Sequence, residues 1–494
     1  MSRIFKKLAL LVAMISCQLA NAQGEVEAFR YSSSDPGMSA RSMGMSGAYS
    51  SVGADVNSFY TNPAGLAVYK RTNVELAISN VSQTTTTAFD EGQKKDLRSR
   101  LSIGNFAFVK TQTPRSSRFT NLSYGIATAK TNHFYQNFTI EGKNNASLMD
   151  QFAWQAQGVN PGDLYNTLPF TSGLAYETYA IDPTDEIGSA YESQTFGARH
   201  DLRKRVQREG RQSEIAFALA AQYSDKLYLG VALGITDITF NEISDYSETY
   251  PSTNKVKSLT YSEDLNTIGT GYVARLGAIY RVHDKVRVAA SYQTRTATSL
   301  QDYYTTSASS LVDTTETQLA TEAGTAFNMS SPELVSEYTL TSPSQWTLGI
   351  SAIVGKMGII SLDWIHSDYR QISMNGSGEN TYDYAVENAL FDTLFRRTNQ
   401  LRAGIEVRIR SSYYARAGFS ARQSPLSNES KSLNKATHGW SGGIGYRDDH
   451  LFADLAISGT NTTGSYYLYD PALINPAVIR NNIVRVLLSV GVRF

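Results

Sequence analysis

Arginine side chains recur at alternate positions in several segments, and they are the residues of this sequence best suited to binding. In residues 401–410, for example, one set of alternate positions holds Arg, Gly, Glu, Arg and Arg. A guanidinium group binds a carboxylate through a two-pronged fork. Two interpretations stay open: ion pairs with acidic residues of the same face, or a guide for an anionic head group. The arginines placed on such a face are Arg275, Arg287, Arg402, Arg408, Arg416 and Arg485, and the acids are Glu214, Asp363, Glu406 and Asp454.

Other chemistry finds little support in the residue pattern. The six histidines are scattered and none has metal-ligand spacing. His133 and His200 fall in one predicted loop, where haem ligation is the alternative to simple solvent exposure. Residues 269–277 superficially resemble a nucleotide-binding loop, but no helix follows them. The sequence therefore predicts no catalytic residue, no metal site and no cofactor.

The elements that carry the arginines have a period of two rather than 3.6. In residues 482–494, Val, Val, Leu, Val, Val and Phe occupy one face, and Arg485, Ser489 and Arg493 fall on the other. Strands of about 9–11 residues with one apolar and one polar face are typical of membrane barrels. A secreted β-sandwich is the alternative, since its strands also alternate.

The connections favour the barrel. Fourteen strands are predicted, beginning near residues 72, 101, 120, 213, 226, 267, 285, 344, 358, 399, 412, 437, 450 and 482. Six short turns alternate with seven long loops, the largest covering residues 132–212. This asymmetry is typical of outer-membrane proteins, with turns in the periplasm and loops outside. We therefore predict an all-β fold: a transmembrane antiparallel β-barrel of about fourteen strands over residues 71–494.

The first 22 residues are predicted to be a cleaved signal peptide. Arg3, Lys6 and Lys7 precede an apolar run, and residues 19–22 offer an A-x-A site. A lipoprotein site at Cys17 is the alternative. The mature chain would hold 42 basic and 45 acidic residues, a balance that argues against a nucleic-acid partner. We expect an integral protein of a Gram-negative outer membrane, with both termini on the periplasmic side.

Residues 23–70 are predicted to plug the lumen, because a barrel of fourteen strands is wider than its own side chains can fill. The segment is rich in Gly, Ser and Ala, which permit close packing in a confined space. Its last part reads Asn-Pro-Ala-Gly. A disordered N-terminal tail is the alternative.

This segment resembles the N-terminal hatch of the FadL/TodX family of outer-membrane transporters for long-chain fatty acids and other hydrophobic molecules. The similarity rests on RSMGMSGAY at residues 41–49 and NPAGLA at residues 62–67, directly before the first strand. It implies a fourteen-stranded barrel, a short hatch, and a kinked third strand that opens laterally to the membrane. The hatch residues it points to are Arg41, Gly44, Gly47, Asn62, Pro63, Ala64 and Gly65.

Irregular strands near residues 104 and 125 fit such a lateral opening. Period two breaks around Gly104 and Asn105, and Ser123 and Gly125 fall in a strand with a central glycine, which marks a bulge or a close approach. A harmless irregularity is the alternative. The opening would let an apolar ligand enter lipid directly instead of water.

The aromatic loop 132–212 has two interpretations, a hydrophobic capture groove or a loop core that packs on itself. Its candidate residues are Phe152, Trp154, Leu164 and Phe170. The resemblance implies passive uptake of hydrophobic small molecules, most of all long-chain fatty acids. A hemin receptor and a general porin are the alternatives. The expected partners are the ligand, the outer-membrane lipids, and the barrel-assembly machinery through the strand that ends at Phe494.

Overall fold

The computed structural model describes residues 21–33, 38–114, 118–185, 190–251, 254–313, 323–355, 358–378, 382–427 and 436–494. The predicted signal peptide, apart from its last two residues, lies outside the described residues. Among those described, no helix is long and apolar enough to cross a membrane.

Fourteen antiparallel strands form one closed barrel, as predicted. They are β1 (Asn73–Phe89), β2 (Gly92–Gln112), β3 (Phe119–His133), β4 (His200–Tyr223), β5 (Leu227–Thr249), β6 (Val256–His283), β7 (Val286–Gln293), β8 (Gln345–Val354), β9 (Gly358–Asp368), β10 (Arg397–Arg410), β11 (Tyr413–Arg422), β12 (Thr437–Arg447), β13 (Leu451–Tyr466) and β14 (Ala477–Arg493). Each strand pairs with the next in sequence, and β14 pairs with β1 from Asn73 to Ala88.

Short segments extend four strands on the side of the long loops. Gln136–Asn144 continues β3, Thr296–Asp313 continues β7, Leu334–Ser342 precedes β8, and Ser373–Gly376 follows β9. A strand at Ala323–Ser330 pairs with the extension of β7, and Ile181–Pro183 pairs with Tyr191–Ser193 in the first long loop.

The outward face of the barrel is an apolar band. In β14, Val486, Leu488, Val490 and Val492 are exposed, whereas Leu487 and Ser489 between them are buried. Residues of a strand alternate between the two faces of a sheet, so the exposed set faces away from the lumen. An apolar exterior around a closed ring of paired backbone is what a lipid bilayer requires of a spanning sheet. The protein is thus an integral β-barrel of the outer-membrane type.

The long loops are shorter than the sequence indicated, because the strands continue beyond the membrane. β1 and β2 meet in a tight turn at Asp90 and Glu91, where a loop over residues 82–99 was expected. The predicted loop 132–212 is likewise wrong at both ends, since strand pairing reaches Asn144 on one side and begins at His200 on the other. Above the membrane the inward face of a strand carries buried polar residues such as Thr85 and Thr87, and the outward face no longer meets lipid, so the hydrophobic alternation that marks a strand in sequence fades.

The lumen holds the segment before β1, as predicted. Helix α2 (Ala40–Met43) and two 3₁₀ turns, Val56–Phe59 and Pro63–Val68, form a buried hatch. Above it lies helix α1 (Asn21–Ser32), which the sequence did not reveal. Ala28 and Tyr31 pack among Phe240, Phe391 and Phe395 near the extracellular loops. The expectation of a periplasmic N-terminal end is therefore wrong for the described chain.

The first extracellular loop has its own core. It contains α3 (Leu148–Ala156), α4 (Pro161–Thr167) and α5 (Ser172–Glu177), and the loop before β10 contains α6 (Ala385–Leu394). A buried carboxylate fastens the first of these loops to the barrel: Glu248 accepts hydrogen bonds from Ser147 Oγ at 2.6 Å and from the backbone N–H of Leu148 at 2.9 Å. Because Glu248 lies near the outer end of β5, the loop has a fixed seat on the barrel.

Candidate functional site

The hatch is held to the wall by hydrogen bonds between its backbone and inward-facing side chains. Asp363 of β9 accepts from the N–H groups of Tyr49 and Ser50, both at 2.9 Å, and from Ser50 Oγ at 2.7 Å. Arg287 of β7 donates to the carbonyl of Val52 at 3.0 Å. Asn121 of β3 donates to the carbonyl of Tyr69 at 2.7 Å. Such buried backbone groups cost free energy when unpaired, so these wall residues fix the hatch position.

The Asn-Pro-Ala-Gly turn is a specific part of this seat. The Asn62 amide donates to the carbonyls of Ser50 at 2.9 Å and of Ala278 in β6 at 3.2 Å. Its Oδ1 caps the 3₁₀ turn by accepting from the Ala64 N–H at 3.2 Å. Pro63 opens that turn, where no backbone donor is needed.

Glycines of the wall let the hatch approach closely, and the sequence pattern alone does not reveal them. A Cβ on Gly404 would lie 2.6 Å from the Cβ of Met45, and one on Gly277 would meet the Asn62 side chain. Within the hatch, Gly47 has a positive φ of 73° and lies against the guanidinium of Arg402. A pattern of alternation cannot show which glycines face a neighbouring segment.

Two of the predicted lumen arginines form buried ion pairs. Arg416 contacts Glu406 at 2.6 Å and Asp454 at 2.8 Å, and the hatch residue Arg41 also binds Glu406, at 2.6 Å. Arg275 pairs with Glu214, with its Nη2 donating at 2.9 Å. At the level of the hatch, these arginines therefore contact acidic side chains, as the ion-pair interpretation expects.

The other predicted arginines lie elsewhere. Arg408 is exposed at the short-turn end of β10, where it donates to the Ser411 carbonyl, so it lies outside the enclosed lumen. Arg402 and Arg485 line a cavity above the hatch, together with Arg422. Gly44 packs against Arg416, at 3.2 Å from the position of its missing Cβ.

This cavity has a volume of about 410 Å³. Its apolar lining includes Phe29, Phe134, Phe240, Met38 and Ile483. Its charged lining consists of five arginines, Arg30, Arg208, Arg402, Arg422 and Arg485, and no Asp or Glu of the described chain lines it. Arg30 and Arg208 are neutralised by Glu242, at 3.3 and 2.6 Å. The cavity is both apolar and electropositive, a combination that suits an amphipathic anion.

A gap in the wall separates the upper parts of β2 and β3. The two strands pair only from Asn105–Ala129 to Gln112–Leu122, although β2 pairs with β1 up to the turn at Gly92. Contact between the two sides resumes higher, where the Arg98 guanidinium donates to Asn137 at 2.6 Å. We call the unpaired stretch between these two levels the window.

The window connects with the lumen cavity. A small space of about 50 Å³ lies behind it, bordered by Ser102 and Gly104 of β2 and by Lys130 and Thr131 of β3. It shares six lining residues with the large cavity: Met38, Met43, Asn132, His133, Tyr135 and Arg485. The two methionines of the hatch segment line both spaces, and their side chains are flexible and apolar.

The four residues predicted for a lateral opening lie at different levels. Gly104 is the extra residue of a β-bulge, since Ala77 pairs with Asn105 and Ile78 with Ile103. Asn105 marks the lower edge of the window and donates to the Met38 carbonyl at 2.8 Å. Ser123 and Gly125 lie lower, in the paired part of β3, where Gly125 packs against Phe59 of the hatch.

The predicted capture residues divide in the same way. Phe152 and Leu164 are buried in the loop core, where they pack against other residues of the same loop, as the self-packing interpretation expects. Phe170 is half-buried against the Tyr304 ring at 5.7 Å, and Trp154 is exposed. His200 is buried beside Glu248, whereas His133 lines the cavity, so the two histidines do not form one site. In the described chain no group of three or more His, Cys, Asp or Glu side chains has the geometry of a metal site.

Removing the hatch clamp at Asp363 is expected to let small solutes through. Asp363→Ala leaves three buried donors of the hatch unpaired, each at a cost of about 1–3 kcal/mol. Liposomes carrying this variant should swell several times faster in sugar solutions than liposomes carrying the parent protein. Ser361→Ala is the matched control, because Ser361 faces inward on the same strand but bonds to Ile350 instead of the hatch. Equal swelling of both variants would contradict the clamp.

Docking of α1 is expected to weaken as pH rises from about 5 to 8. Burial raises the pKa of the Glu27 carboxyl to about 8, and the charges of Asp302 and Glu242 act in the same direction against Arg30 and Arg208. A raised pKa in the docked state means that docking favours the protonated acid, so its stability falls as pH rises from the ordinary value of 4.5 to about 8 and levels off above that. Hydrogen exchange in α1, corrected for its intrinsic rate, should increase from pH 5 to 8 and change little above pH 8. Glu27→Gln should lose most of that dependence, and an unchanged dependence would contradict the assignment.

Comparison with solved structures identifies the architecture. A FadL homologue of Pseudomonas aeruginosa matches over 94% of this chain and 99% of its own, with a TM-score of 0.56 and 12% identity. The toluene transporter TodX of P. putida matches over 93% of this chain and 99% of its own, with a TM-score of 0.53 and 12% identity. The toluene transporter TbuX of Ralstonia pickettii matches over 93% of this chain and 99% of its own, with a TM-score of 0.50 and 15% identity.

The fold is that of the FadL/TodX transporters. No protein-family model matches the sequence, and no curated protein matches it. The FadL/TodX fold therefore accounts for the fourteen strands and the plugged lumen, while the ligand has to be inferred from the residues of this chain.

Proposed function

We propose that this protein takes up hydrophobic small molecules passively across the outer membrane, and that its ligands are amphipathic anions, with long-chain fatty acids first among them. The observation that carries the proposal is the lumen cavity, which combines an apolar lining with Arg402, Arg422 and Arg485 and no lining acid among the described residues. Its volume lies within the range of about 300–1,000 Å³ that is usual for small-molecule sites.

The proposed route begins at the extracellular loops and ends in the membrane. A ligand would enter the cavity beside α1 and place its carboxylate near the three arginines. It would then pass Met38 and Met43 into the window between β2 and β3. Release into lipid avoids about 0.8 kcal/mol for every CH₂ that would otherwise return to water. No energy source is needed, because each step moves the ligand's acyl chain into a more apolar environment.

The arginines also distinguish this ligand class from an aromatic hydrocarbon. The names of TodX and TbuX describe them as toluene transporters, and toluene has no group that a guanidinium would bind strongly. A carboxylate head group pairs with arginine through charge-assisted hydrogen bonds. We therefore place a neutral hydrocarbon behind a fatty acid for this chain.

Uptake by cells tests the proposal. A Gram-negative strain without its own fatty-acid transporter, expressing this protein, should import radiolabelled oleate saturably and well above the empty-vector rate. Excess palmitate should compete and excess toluene should not. Competition by toluene alone would point to a hydrocarbon channel. Import no faster than in the empty-vector strain would contradict the proposal.

Two further measurements address the alternative functions. A general porin would make liposomes swell rapidly in sugar solutions, which the seated hatch argues against. A hemin receptor would show a saturable change of haem absorbance on binding, abolished by His133→Ala. Either result, with oleate import absent, would replace the proposal.

A further inference from the structure

Two arginines face the lumen at the inner edge of the window. Val81 of β1 pairs with Arg100 of β2 on one side and with Arg485 of β14 on the other, so the three side chains share one face of the sheet. That face is the inward one, because Arg485 lines the lumen cavity. The two arginine backbones are about 10 Å apart, since neighbouring strands lie about 4.8 Å apart. All three residues line the small space behind the window.

Arg100 is accessible from the window. It is exposed although it faces inward, because β3 does not pair with β2 at this height. Its guanidinium lies over the ring of Tyr135, with 4.4 Å between the guanidinium carbon and the ring centre. A cation–π contact gives the N–H donors of an arginine no oxygen acceptor. These donors therefore remain available to an anion that enters the space.

The space behind the window is electropositive. Lys130 of β3 borders it from the opposite edge, close enough for the charge of Arg100 to act on it. No Asp or Glu in the part of the chain that the structure describes lines this space. The nearby acid Glu209 is engaged in an ion pair of its own. Asp237 is exposed on the outward face of β5, two strands away from Lys130.

The window opens beside the apolar band of the barrel. Leu101 and Ile103 are exposed on the outward face of β2 at its edge, and Ile126 is exposed lower on β3. An acyl chain can pass into lipid here. An ionised carboxylate in an apolar medium is very unfavourable unless it is paired. The head group of an amphipathic anion therefore needs a cation at the inner side of the opening while its chain enters the lipid.

We propose that Arg100, Arg485 and Lys130 form an exit site, which holds the carboxylate of the ligand while the acyl chain enters the membrane. The inference rests on the proposed function. The carboxylate passes from Arg402 and Arg422 of the lumen cavity to Arg485, which lines both spaces, and then to Arg100. Charge-assisted hydrogen bonds from the guanidinium groups suit a carboxylate. The ligand consequently leaves the barrel with its methyl end first.

Arg100→Gln tests the exit site in cells that express this protein. The variant should lower the maximal import rate of radiolabelled oleate about tenfold, since a charge-assisted hydrogen bond to a carboxylate changes an equilibrium by at least that factor. The concentration for half-maximal import should hardly change, because the arginines of the lumen cavity are intact. Import of oleyl alcohol, which carries no charge, should stay at the parent rate. Arg100→Lys keeps the charge and should restore most of the oleate rate.

Lys95→Gln is the matched control. Lys95 is an exposed cation of the same strand, and it faces outward, because its partner Thr86 lies between the buried Thr85 and Thr87. This variant should import oleate like the parent. Heat-modified migration on gels checks that every variant forms a folded barrel.

The outcomes separate the exit site from the proposed function. Oleate import at the parent rate by Arg100→Gln would overturn the exit site alone. An equal loss of oleate and oleyl alcohol import would also overturn it, because Arg100 would then support the wall through Tyr135 instead of binding the head group. Absence of oleate import by the parent protein would overturn the proposed function and the exit site together.

Discussion

Replacing Gly104 by valine is expected to reduce oleate uptake by about tenfold or more while leaving the barrel assembled. A Cβ at this position points into the small space behind the window, 2.9 Å from the end of the Leu487 side chain and 3.4 Å from Ser79. Leu487 can rotate away, so the strand accepts the change, but the added methyl groups fill much of a space of about 50 Å³. Initial rates of oleate import, normalised to the protein in the outer membrane, measure the effect.

Gly442 provides the control for this experiment. Gly442 lies in the fully paired strand β12, with only the Arg416 carbonyl within 4 Å of an added Cβ, so Gly442→Val should import normally. Gly125 is unsuitable as a probe of the window, because an added Cβ would press on the backbone carbonyl of Phe108 and is expected to prevent assembly. Normal import by Gly104→Val would exclude the window as the exit.

Removing two cavity arginines is expected to weaken oleate binding by about 30- to 100-fold. Arg402 and Arg422 both line the lumen cavity, and a charge-assisted hydrogen bond to a carboxylate contributes about 1.5–3 kcal/mol. The double variant Arg402→Gln, Arg422→Gln should raise the concentration for half-maximal import accordingly. Competition by oleyl alcohol, which lacks the charge, should hardly change.

Arg408→Gln is the matched control for the arginine pair. Alternation places Arg408 on the same face of β10 as Arg402, yet it lies exposed beside Ser411 at the periplasmic end. This variant should import oleate like the parent. Equal losses for oleate and oleyl alcohol in the double variant would show that the arginines support the cavity instead of binding the head group.

Strand order and the direction of side chains could be predicted because membrane and lumen impose a strict period of two. The exposed Val486, Leu488 and Val490 and the buried Ser489 lie where alternation places them. The method fails above the membrane, as in residues 82–99, where the buried face of a strand carries polar residues such as Thr85 and Thr87 and the apolar alternation is lost. Helix α1 was missed because its apolar residues, Phe29 and Tyr31 among them, are too few to form a clear helical stripe.

The candidate site could be predicted only in part, since alternation shows which face a residue occupies but not its depth. Alternation places Arg402, Arg408 and Arg416 on the lumen face of their strands. Arg402 lines the cavity, Arg408 lies at the periplasmic rim, and Arg416 belongs to a buried ion-pair network. The break in alternation at Gly104 corresponds to a real bulge. The glycine at 125 instead reflects contact with Phe59 of the hatch, which no local pattern distinguishes from an opening.

Photo-crosslinking of a fatty acid is the most direct test of the central claim, that an amphipathic anion passes through the lumen and leaves between β2 and β3. A palmitate with a diazirine near its terminal methyl group would be added to cells and activated during uptake, and the labelled peptides identified by mass spectrometry. We expect label on Met38, Met43 and Tyr135 and on Ser102 at the window, reduced by excess oleate. Label confined to the outward apolar band, or unaffected by oleate, would contradict the account.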